Sequence, residues 1–150
     1  MSLAGETVQA ERRTLWTPTW TSVTQGTSAI NEGWYLERSD GLVDFRFRLQ
    51  FGTTPSFSAT IRLTLPSEAW TGSGSEIQSQ IGWWGFRNSS DPYHYSGTLG
   101  IWATDGLDVS FGGAWDGTAP RSRITNGVPF TVAVDDILSG GGTYLPAANA

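Results

Sequence analysis

The chain has 150 residues, no cysteine, and a net charge of -5 from fourteen acids against nine arginines. That length fits one domain with a core of its own. The absence of cysteine excludes disulfides and thiolate metal sites, and the acidic balance argues against a nucleic-acid binder, which needs a basic stripe. Nineteen glycines and eight tryptophans suit an all-β chain rich in turns.

Residues 1–14 hold Glu6, Glu11, Arg12 and Arg13 without a strand pattern. They are expected to form a flexible docking arm, with residues 15–150 as one β domain. Arg12 and Arg13 directly precede Trp16, which makes the three residues candidate anchors for that arm. The start, Met1 to Glu6, has no basic region and no long apolar run. No secretory signal and no membrane span are therefore expected.

Leu15 to Val23 reads as a first strand with Trp16, Pro18 and Trp20 on one side. Pro18 cannot donate to a ladder, so an edge strand is expected. Ile30 to Arg38 is the next strand, with Trp34 and Leu36 inward and Tyr35 and Glu37 outward. Ser39-Asp40-Gly41 then turns directly into the following strand, a strong hairpin signal.

Leu42 to Leu65 carries the clearest pattern in the chain. Val43, Phe45, Phe47, Leu49 and Phe51 alternate with Asp44, Arg46, Arg48 and Gln50. Phe57, Ala59, Ile61, Leu63 and Leu65 then alternate with Ser58, Thr60, Arg62 and Thr64. A period of two buries one face of a strand and wets the other. With Gly52 to Ser56 between them, the two runs read as a long hairpin. Its charges are expected to pair across the two strands.

Ser67 to Gln80 reads as a surface loop with Trp70 as an anchor. Strands follow at 81–87, at 93–102 as one strand or a pair, and at 107–111, then a loop from Gly112 to Arg123. Phe130–Val134 and Leu138–Leu145 close the chain. Eight to ten short strands with turns between them imply an antiparallel two-sheet sandwich, for which a jelly roll is one solution.

The residues offer little catalysis. His94 is the one histidine, placed between two tyrosines with no nucleophile motif beside it. Asp105 with Asp108, or Asp135 with Asp136, lack the spacing of a calcium loop. No catalytic residue, cofactor or metal site is assigned, and the chain is expected not to be an enzyme. The aromatics say more. Trp83, Trp84, Tyr95 and Trp102 fall within twenty residues. Adjacent Trp83 and Trp84 point to opposite faces of a strand, so one of them needs cover beyond the core. Core filling, a subunit interface and a sugar-stacking platform all remain open readings.

The run Asn126 to Ala147, with its Pro129-Phe130-Thr131, its acidic pair Asp135-Asp136 and its Gly142-Thr143-Tyr144, resembles the close of a virion domain of actinobacterial phages. Trp16 to Thr21 is similar to that family's opening strand, and Asp44–Phe51 with Thr60–Pro66 to its central hairpin. The resemblance implies a jelly-roll sandwich of the tumour-necrosis-factor type, assembled as a homotrimer on a phage particle. It implies a virion location after assembly in the host cytoplasm, and the major capsid protein or tail proteins as partners. Because the chain carries a short arm and no fibre shaft, a capsid decoration protein is expected. The alternatives are a minor tail or fibre-tip protein in host recognition, and a carbohydrate-binding module that holds host-surface glycans. Trp83, Trp84, Tyr95 and Trp102 are then the candidate trimer contacts.

Overall fold

The computed structural model describes residues 12–71, 80–91, 94–102, 108–113 and 123–150. Nine strands form one antiparallel sheet: β1 (Thr14–Trp16), β2 (Trp20–Thr24), β3 (Ile30–Glu37), β4 (Val43–Gln50), β5 (Ser56–Thr64), β6 (Gly82–Arg87), β7 (His94–Trp102), β8 (Asp108–Gly112) and β9 (Ile137–Tyr144). Their order across the sheet is β1-β3-β4-β9-β6-β7-β8-β5-β2. The all-β antiparallel expectation holds at this level. The sheet is continuous and curled.

The curl follows from chain connectivity. β1 and β2 lie at opposite edges of the sheet, yet only residues 17–19 join them. Four extended steps from Trp16 to Trp20 reach at most about 14 Å. The two edges must therefore come close. Asn31 of β3 fastens the seam: its Oδ1 accepts from Trp20 Nε1 at 3.0 Å, and its Nδ2 donates to the Pro18 carbonyl at 2.8 Å. Trp20 also stacks on Phe111 of β8 at 5.8 Å and meets Phe47 of β4 edge-on at 5.5 Å. The placing of Trp16, Pro18 and Trp20 on one side is consistent with these contacts, since Trp16 reaches Phe45 at 6.4 Å and Pro18 is buried.

The alternation in β4 is realised in full. Val43, Phe45, Phe47, Leu49 and the following Phe51 are buried, and Asp44, Arg46, Arg48 and Gln50 face out. The expected hairpin is not. β4 pairs with β3 and β9, so both of its edges are taken; β5 pairs with β8 and β2. Residues 52–55 instead carry the chain across the core, and Phe51 and Phe57 meet there at 5.6 Å. Arg62 consequently lies beside Thr21 and Ser110, not beside the charges of β4. Ala59, expected inside, is exposed.

Glycines make room for large rings. Phe47, Gly140, Trp84 and Gly97 are consecutive partners across β4, β9, β6 and β7. A Cβ on Gly140 would meet the Trp83 carbonyl and the Phe47 ring; one on Gly97 would meet the Trp84 indole at 2.6 Å. Alternating large and small side chains lets such a layer close without voids. Trp84 satisfies its indole by donating to the Gly112 carbonyl at 2.9 Å.

Phe130–Val134, expected as a strand, is an irregular segment. Phe130 packs on Phe86 at 4.3 Å and on Tyr95 at 5.3 Å. The buried Asp136 carboxylate ties this segment down, accepting from the Ser89 and Ala133 amides at 2.7 Å each. Among the described residues of the 67–80 loop, Ala69 is buried, while Trp70 is 44% exposed.

Candidate interaction face

The outer face of β1, β3, β4, β9 and β6 carries an unusual row. The β3–β4 hairpin closes through the expected turn, with the Arg38 and Leu42 backbones bonded. Its register sets Trp34 opposite Arg46. Directly opposed residues of an antiparallel pair share a face. Arg46 is outward, so Trp34 is outward too, and Tyr35 packs against the core. This reverses the expected orientation of β3.

The row continues through β9 and β6. Arg46 is opposite Gly141, and Gly141 is opposite Trp83. A Cβ on Gly141 would strike Arg46 Cδ, with Nη1 at 2.7 Å. The arginine therefore lies flat across a bare strand. Its Cζ stands 5.7 Å from the Trp34 ring centroid and 6.0 Å from that of Trp83. Its Nη1 donates to the Phe45 carbonyl at 2.8 Å. From the other flank of β3, Arg13 places its guanidinium 4.3 Å from the Trp34 centroid. Each exposed cation–π contact of this kind contributes about 0.5–1 kcal/mol.

Beside the row is a shallow pit of about 280 Å³, lined by Leu15, Glu32, Gly33, Trp34, Arg46, Phe47 and Arg48. Leu15 on its rim is 87% exposed, and Trp83 is 51% exposed. Arg48 is engaged by Glu32 at 3.5 Å and by Gln50 at 2.9 Å. Among the described residues, Arg13 and Arg46 are in no ion pair.

The expected site residues separate. Trp83 is on this face. Trp84 is fully buried within the protomer, so it is core and has no surface for a partner. Tyr95 is half-buried, opposite Phe86 and against Phe130. Trp102 ends β7, and its side chain lies outside the described residues. Of the arm anchors, Arg12 is exposed, Arg13 lies on Trp34, and Trp16 packs inward against Phe45. Thr14 already pairs with Tyr35, so the sheet begins inside the expected arm; residues 1–11 lie outside the described residues.

Trp34, Arg46 and Leu15 were not among the expected contacts. The signal for two of them was present. Counting back from the Ser39-Asp40-Gly41 turn pairs Trp34 with Arg46, and the charge on Arg46 fixes the face.

Elsewhere, Arg87, Ser89, Ser90, Asp91 and His94 line an open depression. Its hydroxyls are engaged away from the imidazole. Ser89 Oγ donates to the Val134 carbonyl at 3.0 Å, and Ser90 Oγ to Asn88 Oδ1 at 2.8 Å. A nucleophile needs a hydrogen bond to its base, and neither serine has one to His94. Asp105 lies outside the described residues, and Asp136 spends its oxygens on backbone amides. No protein-family profile, curated protein or solved structure matches the chain.

Proposed function

We propose that this chain is a non-enzymatic structural protein of a bacteriophage virion, a homotrimeric decoration protein held on the particle surface. The resemblance at residues 16–21, 44–51, 60–66 and 126–147 supplies the setting. The observation that carries an assembly role is the outer face: a half-exposed tryptophan, an almost fully exposed leucine and two arginines in no ion pair among the described residues. Aromatic and arginine side chains are the groups most enriched at protein interfaces. The curled topology supports a jelly roll, because the chain crosses from one wall to the other between β4 and β5. In a trimer, three copies of one face would strengthen a weak contact with the particle through avidity.

The test has two readings. Light scattering is expected to give three times the 16.2 kDa of one chain. Purified protein is expected to fill a fixed number of sites on particles that lack it. A single-chain mass across micromolar concentrations would overturn the trimer, and the absence of saturable occupancy would overturn decoration. The exposed ring of Trp83 also favours a second reading, a carbohydrate-binding module. Host-glycan binding that disappears in Trp83→Ala with the fold intact would select it.

A further inference from the structure

Two cations flank one ring on this face. Arg46 approaches Trp34 from β4 on one side, and Arg13, which directly precedes β1, from the other. Neither has a carboxylate partner among the described residues, although the chain carries a net charge of -5. A cation with no counter-charge beside it favours an anionic partner, and here two such cations border one ring. The acids beside the row are engaged by other groups: Glu32 by Arg48, and Asp44 by Arg38 and Thr143. The charge of the patch is thus opposite to that of the chain as a whole.

We propose that the row Arg13–Trp34–Arg46–Trp83 is a docking surface for an extended, acidic segment of a partner protein. Carboxylates of the segment bond the guanidiniums of Arg13 and Arg46. An apolar side chain next to them enters the pit against Leu15 and Trp34. From Trp34 on β3 to Trp83 on β6 the row crosses β4 and β9, a span of about 14 Å at ordinary strand spacing. Four to five extended residues, roughly, cover that distance.

The chemistry favours protein over sugar. A saccharide stacks on a bare aromatic face, and guanidiniums already border the Trp34 ring on both flanks of β3. Arginine with an aromatic neighbour, by contrast, is well suited to carboxylates, because its fork still presents N–H groups at the edge. In the setting proposed above the segment belongs to a particle protein, but the surface rests on its own geometry and is tested without particles.

The experiment uses the full chain, isotopically labelled, and two synthetic peptides. One alternates Glu with Phe; the other has Gln in place of each Glu. The indole N–H signals of Trp34, Trp83 and Trp84 are followed by NMR during titration. The Glu peptide is expected to shift Trp34 and Trp83 and leave the buried Trp84 unmoved. The Gln peptide is expected to bind about tenfold more weakly, as is the Glu peptide to Arg46→Gln. Arg13→Gln, a change next to an edge strand that leaves the core untouched, should weaken binding in the same direction. Salt near molar concentration should remove most of the difference between the peptides. Equal affinity for both peptides, no shift with either, or shifts confined to other signals would overturn the proposal. Self-association of the free protein that Arg46→Glu abolishes would overturn it too, by giving the face to a second copy.

Discussion

Phe47→Ala is expected to lower the unfolding free energy by about 3–5 kcal/mol. Phe47 is 3% exposed and meets Trp20 at 5.5 Å and Phe111 at 6.0 Å. It therefore links β4 to both β2 and β8, which lie far from β4 in sheet order. Truncation removes the ring that holds the curl closed from inside and leaves a cavity above Gly140. Nothing on that strand can collapse into the space, because Gly140 has no side chain to move. Against a total stability of about 5–15 kcal/mol, such a loss is a large share. Arg46→Ala, one residue away on the outer face, should cost only about 1–2 kcal/mol, the value of its two ring contacts. Urea midpoints of the two variants measure the difference. Equal penalties would mean that the two faces of β4 are misassigned.

Gly140→Ala is expected to be nearly as damaging for the opposite reason. An added Cβ would meet the Trp83 carbonyl, with the Phe47 ring at 2.8 Å and Trp84 Cα at 3.0 Å. Two of those atoms are backbone of a central strand, which cannot give way without disturbing its ladder. Overpacking of this kind costs about 1–3 kcal/mol and more where the backbone is involved, so the upper end is expected. Gly85→Ala is the control. Its Cβ would meet only the Tyr95 carbonyl, at 3.9 Å. That change should stay within about 0.5 kcal/mol. Comparable losses at both glycines would contradict the close-approach account of β9.

Strands β4 and β9 also show what was legible in the sequence. The faces of β4 could be read because a charge every second residue permits only one arrangement. Its partners could not. Phe57, Ile61 and Leu63 alternate just as Phe45, Phe47 and Leu49 do, and two such runs joined by a turn look like a hairpin. The pattern records which side is buried, and two strands that face each other across a core show the same pattern as two that pair. What settles the matter is that β3 and β9 occupy both edges of β4, and β9 lies some ninety residues further on. The Gly140-Gly141-Gly142 run holds that place because it lets neighbours come close, a role that propensity does not register. Phe130 and Val132 alternate as in a strand, but the segment is held through the Ala133 amide by Asp136 rather than by a ladder.

The candidate face was legible in pieces. Trp83 stood out because Trp84 follows it and the two cannot share a face. Trp34 reads as inward on the alternation of β3 alone, but the register imposed by the next turn pairs it with Arg46 and turns it outward. An aromatic ring can remain outside when guanidiniums cover it, and Arg13 and Arg46 supply that cover. Leu15 carried no pattern of its own; it is exposed because β1 is three residues long and adds only an edge to the sheet.

The central claim is that most of the aromatic surplus is core and that the outer row makes the contact with the particle. Hydroxyl-radical footprinting of the free protein and of particle-bound protein tests it residue by residue. Leu15 and Trp83 should be oxidised in the free protein and protected on the particle, with Trp84 and Phe47 unlabelled in both. Unchanged labelling of Leu15 and Trp83 on fully occupied particles would contradict the claim.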